Sequence, residues 1–324
     1  MMQVPKKNYA SAVRTGPSTR AKRIFLAGIE GVGKTTALVQ CPNPIILCAE
    51  DGLTYPAFAG IANYTPEDWP DVFGFIDYLT NSSHDFQTLG IDTLDWLEQP
   101  ATRYICNRDG KSNIEDYGYS KGQAVILPNE FRLLLSKLEL LQQKKNMLIV
   151  ITAHIMVKTF NNPAGDNYDR FEASGTKQVN SLIKQWCDIN LFATFDIATF
   201  KESKKGKAKG VGGDKRIVHT TYSAAFDAKN RCGLPNVLPF DMPTILEAIK
   251  KGTPDSAENL YADAKEKAEK YLEGDTKTKT LKYLDTNKNN VSILLLALNK
   301  LKCIEDEALR EKKENEPEPA AQAA

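Results

Sequence analysis

Residues 23–36 have the sequence RIFLAGIEGVGKTT, in which an apolar run leads directly into a glycine-rich turn. The turn satisfies G-x-x-x-x-G-K-T from Gly28 to Thr35, and apolar residues continue after it at helical spacing. Glycine permits positive φ and close backbone approach, so consecutive N–H groups can surround a phosphate without a Cβ clash. The pattern predicts a P-loop, with Lys34 on the β- and γ-phosphates and the Thr35 hydroxyl on Mg²⁺. The predicted nucleotide-binding residues are Gly28, Gly31, Val32, Gly33, Lys34, Thr35 and Thr36.

Three further apolar runs, each predicted to be a buried strand, end in a polar residue: Glu50, Asp92 and His154. In doubly wound sheets, residues at the carboxyl ends of the strands form the ligand site. Glu50 is predicted to orient a water for attack on the γ-phosphate, and a turn or helix cap is the open alternative. Asp92 is predicted to hold the Mg²⁺ shell, partly through water, together with Thr35. His154 is either a sensor of the γ-phosphate or a structural residue.

Two long polar segments, residues 101–122 and 155–175, combine aromatic and basic side chains. Loops of this length inside a domain are usually functional or disordered. Rings that stack on bases and cations that follow phosphates suit single-stranded nucleic acid, so we expect both segments to be DNA-binding loops. The candidate contacts are Arg103, Tyr104, Tyr117, Tyr119 and Lys121 in the first, and Lys158, Phe160, Arg170 and Phe171 in the second.

The helical period predicts helices over 71–79, 129–141 and 176–186. Strands over 188–195 and 216–222 are predicted to form a hairpin, joined by the Lys/Gly run KESKKGKAKGVGGDKR. This run is either a solvated hairpin tip or a contact to a phosphate backbone. Beyond it, Lys229 and Arg231 alternate with Asn230, so both cations project from one side if the segment is extended. Arginine suits phosphate recognition, including from a neighbouring subunit.

Composition places these elements in a globular protein of 324 residues, with 42% hydrophobic and 26% charged residues. The absence of an apolar leader or spanning run predicts a cytoplasmic location and no membrane partner, and the six scattered cysteines are expected to be reduced. The net charge of +1 argues against a uniformly basic nucleic-acid binder.

The expected domains are a flexible basic arm (1–21), an ATPase core (22–252), a helical C-terminal extension (253–310) and a disordered acidic tail (311–324). The extension is expected to hold helices over 256–273 and 291–308 with Lys-rich linkers.

The order GIEGVGKT, ILCAEDG, LGIDTLDWL, IVITAH and AKNRCGLP resembles the RecA-like phage nucleotide-binding ATPases. These include the Sak-group single-strand annealing proteins related to the RecA and RadA recombinases, and the resemblance covers about residues 22–240. It implies an α/β RecA-like P-loop NTPase with a mostly parallel central sheet flanked by helices. It also implies that Glu50 is the catalytic glutamate and Asp92 the Walker B aspartate. His154 falls where recombinases generally have a glutamine that couples the γ-phosphate to the second DNA loop, and Lys229 and Arg231 resemble paired cations that reach a neighbouring protomer's ATP.

These observations lead to one main hypothesis: an ATPase, dependent on ATP and Mg²⁺ and stimulated by DNA, that binds single-stranded DNA and promotes annealing or recombination in phage replication or repair. Its catalytic residues would be Glu50, Lys34, Asp92 and His154. It would act as a homo-oligomer, a ring or filament, in the cytoplasm of an infected bacterium, with a single-strand binding or replication protein as a partner of its C-terminal tail. The alternative is a nucleotide-dependent loader that hydrolyses ATP slowly or not at all and recruits a replication partner. A small-molecule kinase is a third, weaker option.

Overall fold

A computed structural model describes residues 20–50, 52–200, 209–252 and 257–290, and eight further residues (293–294, 297–298, 300–301 and 304–305). Apart from its last two residues, the predicted basic arm lies outside the described residues, and so does the predicted acidic tail. Residues Arg20–Ile249 form one compact unit, and the described residues after it belong to a second.

Within the described residues, nine strands form one sheet in the order β11-β9-β8-β1-β5-β4-β2-β3, and β10 pairs with β8. Six neighbouring strands of this sheet, in the spatial order β3, β2, β4, β5, β1 and β8, are joined by parallel pairs. Strands β9, β10 and β11 are added antiparallel. The α/β class with a mostly parallel central sheet is therefore confirmed. The strands are β1 Arg23–Gly28, β2 Pro44–Cys48, β3 Ala62–Tyr64, β4 Thr88–Asp92, β5 Leu148–Ala153, β8 Ile189–Phe200, β9 Lys209–His219, β10 Lys229–Asn230 and β11 Val237–Pro239.

Helices flank both faces of this sheet because alternate strand residues point to opposite sides. Phe25 of β1 joins a core with four helices (α2 to α5), and Ile24 joins a second core with α1 and α6. The three helices predicted in this unit are confirmed as α2, α4 and α5, each with slightly different ends. The helices of this part are α1 Lys34–Val39, α2 Trp69–Asn81, α3 Leu94–Arg108, α4 Leu127–Lys145, α5 Lys177–Trp186 and α6 Met242–Gly252.

The first predicted DNA-binding loop, 101–122, is not a loop. Helix α3 continues to Arg108, a 3₁₀ turn covers Ile114–Tyr117, and a π-helical turn begins at Gly122. Ala101, Ile105 and Cys106 are buried at helical spacing, but the proline inside α3 and the exposed polar residues between them conceal that period in the sequence.

The prediction of a second loop over residues 155–175 is also wrong. This segment forms an antiparallel hairpin of β6 (Ile155–Phe160) and β7 (Tyr168–Ala173). Of its twelve strand residues, only Arg170 and Ala173 are buried. Since neither face is apolar, the sequence lacks the alternation that predicts a strand. The predicted β8–β9 hairpin is confirmed, although residues 201–208 of the Lys/Gly run lie outside the described residues.

The second unit contains α7 (Ala257–Tyr271) and α8 (Gly274–Thr286), which share a core of their own with Leu260, Leu284 and Leu298. Helix α8 occupies a stretch predicted to be a Lys-rich linker, so that prediction was wrong. None of the helices in the described part of the chain is both long enough and apolar enough to cross a membrane. The five described cysteines, Cys41, Cys48, Cys106, Cys187 and Cys232, are buried, and Cys303 lies outside the described residues.

Candidate nucleotide-binding site

The P-loop has the geometry that its glycines predict. Gly31 and Gly33 adopt φ of 72° and 105°, and α1 begins at the next residue, Lys34. A Cβ on Gly28 would lie 3.0 Å from Ala193 O of β8, a tight contact that glycine avoids. Val32 is fully buried and fixes the middle of the loop to the core. The turn therefore holds its backbone at the carboxyl end of β1.

The ammonium of Lys34 is held inside this turn. Its side chain is 6% exposed, and Nζ donates hydrogen bonds to Gly28 O and Ile29 O, each at 3.2 Å. Burial lowers the pKa of Lys34, and the nearby carboxylates of Asp92 and Glu50 oppose that effect. The charge thus lies where a P-loop lysine meets phosphate.

Asp92 and two threonines form the predicted metal-binding corner. Thr35 Oγ1 donates to Asp92 Oδ2 at 2.7 Å, and Thr152 Oγ1 donates to Asp92 Oδ1 at 2.5 Å. Asp92 is 2% exposed, and the backbone of Gly52 lies so close that a Cβ there would be 3.5 Å from Thr35 Oγ1. Within the described ranges, no group of three or more His, Cys, Asp or Glu residues is placed to hold a metal ion. The hydroxyl and carboxylate fit Mg²⁺, which takes few protein ligands and completes its shell with phosphates and water.

Glu50, His154 and Asp95 form a chain of polar contacts beside this corner. His154 Nδ1 lies 2.9 Å from Asp95 Oδ2, its backbone N–H donates to Asp95 Oδ1 at 3.1 Å, and its Nε2 lies 3.9 Å from Glu50 Oε1. The hydrogen bond to Asp95 raises the pKa of His154, against the effect of its burial. Burial raises the pKa of Glu50, although His154 opposes this. Burial also acts to raise the pKa of Asp95, but the hydrogen bonds from His154 outweigh it and the pKa is lowered.

Asp95 and Glu98 are polar residues of this region that the sequence did not reveal. Both lie near the start of α3, directly after Asp92, and a three-residue spacing on a helix places them on one face. Glu98 accepts hydrogen bonds from Thr176 N at 3.0 Å and Thr176 Oγ1 at 2.7 Å, and burial raises its pKa. The start of α3 therefore contacts His154, which precedes β6, and the segment that follows β7. The one available signal in the sequence was a pair of acidic residues, three positions apart, soon after the strand that ends at Asp92.

The predicted DNA contacts of the first segment have different surroundings. Arg103 and Lys121 are exposed, and Tyr119 is fully exposed, whereas Tyr104 is half-buried. Tyr117 donates its hydroxyl to Asp109 at 2.6 Å, which ties it to the segment itself.

On the β6–β7 hairpin, Lys158 and Phe160 are half-buried, and Phe171 is 36% exposed. Arg170 is 6% exposed, lies over the rings of Phe160 and Tyr222, and has Nη2 3.5 Å from Asp227 Oδ1. A buried guanidinium in these contacts holds the hairpin against residues 222–227 instead of presenting a charge at the surface.

Lys229 and Arg231 lie away from the P-loop. Lys229 pairs with Asn190 of β8, three residues or about 10 Å of strand before Ala193, which pairs with Gly28. Lys229 Nζ donates to Lys184 O at 2.6 Å, and burial followed by repulsion from Arg231 lowers the pKa of Lys229. Arg231 is exposed. Lys229 is thus paired near the start of β8, whereas Lys34 follows the carboxyl end of β1 in the same subunit.

Comparison with known proteins adds one family match. A family model described as an AAA domain matches residues 20–232. No curated protein matches the chain. A crystal structure of the RadB recombinase aligns with 12% identity and a TM-score of 0.35, covering 62% of this chain and 80% of that chain.

Proposed function

Because the chain belongs to the AAA domain family over residues 20–232, we propose that it binds ATP with Mg²⁺ and hydrolyses it. The fold is that of a RecA-like P-loop NTPase, with the P-loop after β1 and Asp92 at the end of β4 of a mostly parallel sheet. Nucleotide binding follows from the family and the P-loop. Hydrolysis, DNA binding and annealing are the proposal.

The observation that carries hydrolysis is the position of Glu50 between the metal-binding corner and His154. Its backbone N–H lies 3.3 Å from Asp92 O, and its carboxylate faces His154. A general base is most effective when its pKa lies near the working pH, and burial raises the pKa of Glu50 in that direction. We assign Glu50 to orient and deprotonate the attacking water, and His154, held by Asp95, to position Glu50. Mg²⁺ would supply charge neutralisation for the phosphates, held by Thr35 and Asp92.

A neighbouring subunit would complete the site. Lys229 is paired with β8 three residues before the residue that pairs with Gly28, and Arg231 follows it two positions later, which supports their assignment to the γ-phosphate of an adjacent protomer in a ring or filament. An arginine or lysine supplied in this way stabilises the charge that develops on the phosphoryl group.

Single-stranded DNA is the proposed polymer, and annealing or recombination during phage replication in the host cytoplasm is the proposed role. The support is the β6–β7 hairpin, which directly follows His154 and exposes Met156 at 42% and Val157 at 60% beside Lys158. Apolar side chains next to a cation suit bases and phosphates of an unpaired strand.

ATPase activity measured with and without single-stranded DNA tests this proposal. We expect Mg²⁺-dependent hydrolysis that DNA stimulates, loss of nucleotide binding in Lys34→Ala, and loss of turnover with binding retained in Glu50→Gln. Unchanged hydrolysis in Lys34→Ala would refute the nucleotide site. An ATPase rate that single-stranded DNA does not change, together with no salt-sensitive DNA affinity, would refute the DNA role and favour the nucleotide-dependent loader.

A further inference from the structure

We propose that Arg216 of β9 binds the α- and β-phosphates of the nucleotide in its own subunit. This rests on the proposed nucleotide site and adds to it a cation from outside the P-loop motif. It differs from Lys229 and Arg231, which are assigned to a neighbour.

Strand pairing brings Arg216 to the P-loop edge of the sheet. Gly28, the last residue of β1, pairs with Ala193 of β8, and Arg216 pairs with Phe195, two residues further along β8. Arg216 therefore lies beyond the end of β1, where the P-loop turns.

The guanidinium of Arg216 lies directly against the loop. A Cβ added to Gly33 would be 2.9 Å from Arg216 Nη1 and 3.9 Å from its Cζ. Gly33 immediately precedes Lys34, and the backbone N–H groups of this turn are those that cradle the α- and β-phosphates in P-loop proteins. Arg216 is thus beside the atoms that bind those phosphates.

The β8–β9 hairpin has local features that direct the Arg216 side chain towards the P-loop. The β8–β9 pairing shifts register between Phe195 and Ile197, and Gly212 and Gly213 adopt φ of 102° and 104°. A Cβ on Gly212 would lie 2.6 Å from Asp196 O, so this close approach requires glycine. Bulges of this kind change the direction of the side chains next to them. The Arg216 Cζ also lies 5.9 Å from the centre of the Phe195 ring, which supports the guanidinium from one side.

The charge of Arg216 is available for an anion. Among the described residues it makes no ion pair, and its side chain is exposed. Lys34, in contrast, is buried. A planar guanidinium with fixed donors matches phosphate oxygens better than a lysine ammonium does.

Binding of ADP and ATP to the full-length chain tests the inference, with N-methylanthraniloyl derivatives as fluorescent probes. Because the α- and β-phosphates occur in both nucleotides, we expect Arg216→Ala to weaken both by about tenfold, the range of a charge-assisted hydrogen bond. Arg216→Lys should recover part of the loss. Lys215→Ala, which removes an exposed positive charge from the adjacent residue, is the matched control and should bind both nucleotides as the wild type does.

Wild-type affinity of Arg216→Ala for both nucleotides would overturn the inference, and so would a loss of single-stranded DNA affinity with nucleotide affinity intact. An equal loss in Lys215→Ala would overturn it too, because general surface charge would then explain the effect. Arg216→Gln, compared with the wild type by tryptophan fluorescence, gives a second test if the alanine variant folds poorly. Lys34→Ala separates the two proposals: if it alone loses nucleotide, only the role of Arg216 fails, whereas if it binds normally the nucleotide site itself is wrong.

Discussion

Replacing Asp95 by asparagine should show how strongly α3 holds His154. Asparagine keeps an oxygen that can accept from the backbone N–H of His154. It removes the negative charge of Asp95, whose Oδ2 lies 2.9 Å from Nδ1 of the His154 ring. The side chains of His154 and Asp95 are only 19% and 13% exposed, so solvent screens the pair little. Hydrogen bonds to charged groups contribute about 1.5–3 kcal/mol and neutral ones about 1 kcal/mol, so we expect Asp95→Asn to cost about 1–2 kcal/mol.

The cost should depend on pH in a defined direction. The pKa of Asp95 is lowered below its ordinary 3.8, so its contribution is present above that pH and is lost as pH falls through the folded value. The pKa of His154 is raised above its ordinary 6.5, so its contribution is complete below that pH and is lost as pH rises through the folded value. The difference in free energy of unfolding between wild type and Asp95→Asn is therefore largest between about pH 3.8 and pH 6.5, and it declines in alkaline solution.

Tryptophan fluorescence during thermal or urea unfolding measures this difference. The three tryptophans, Trp69, Trp96 and Trp186, all lie within the Arg20–Ile249 unit, so the signal reports that unit alone. For a unit of this size, the expected loss corresponds to a fall in Tm of about 3–6 °C near pH 6. Asp77→Asn is the control, because Asp77 pairs with Lys137 at an exposed site and involves no histidine. A difference that stays constant from pH 5 to 9, or grows at alkaline pH, would refute the assigned pairing.

Three further substitutions test the metal-binding corner, the packing around Gly122 and the β6–β7 hairpin. Thr152→Val removes the hydroxyl that donates to Asp92 at 2.5 Å, so Mg²⁺-dependent turnover should fall about tenfold while Mg²⁺-free nucleotide binding is retained, as a magnesium titration of the ATPase would show. Gly122→Ala places a Cβ 2.1 Å from Ile114 O, so unfolding should become easier by about 2–3 kcal/mol in urea, and an unchanged midpoint would contradict the packing there. Lys158→Glu on the hairpin should weaken single-stranded DNA binding and reduce its salt dependence, and equal affinity at all salt concentrations would exclude the hairpin as the DNA surface.

The residues at strand ends could be predicted because parallel strands end at one edge of the sheet. Thr35, Asp92, Glu50 and His154 each follow or terminate an apolar run, and the structure brings all four into one region. Their neighbours could not be predicted in the same way. Thr152 lies within a strand and looks like any β-branched core residue, and its contact with Asp92 depends on the pairing partners of β5.

The errors have related causes. The stretch after Ala101 looked like a loop because Pro100 and exposed polar residues interrupt the helical period, although its buried residues keep that period. Arg170 looked like a DNA contact because it is charged, but its burial depends on Tyr222 and Asp227, which are about fifty residues away in the chain. Arg216 reaches the P-loop only through the register of the β8–β9 hairpin.

Lys229 pairs with β8 three residues before the point where Gly28 of β1 pairs with it. This separation affects how copies of the chain could assemble. An assembly that joins the Lys229 edge of one subunit to the P-loop edge of the next is head-to-tail and has a direction. In an open chain of subunits, one terminal copy keeps a P-loop without donated cations, and the copy at the other end keeps cations without a P-loop. A closed ring has neither defect. Turnover per subunit would therefore rise with the length of a filament towards a plateau, whereas in rings it would be the same at every position.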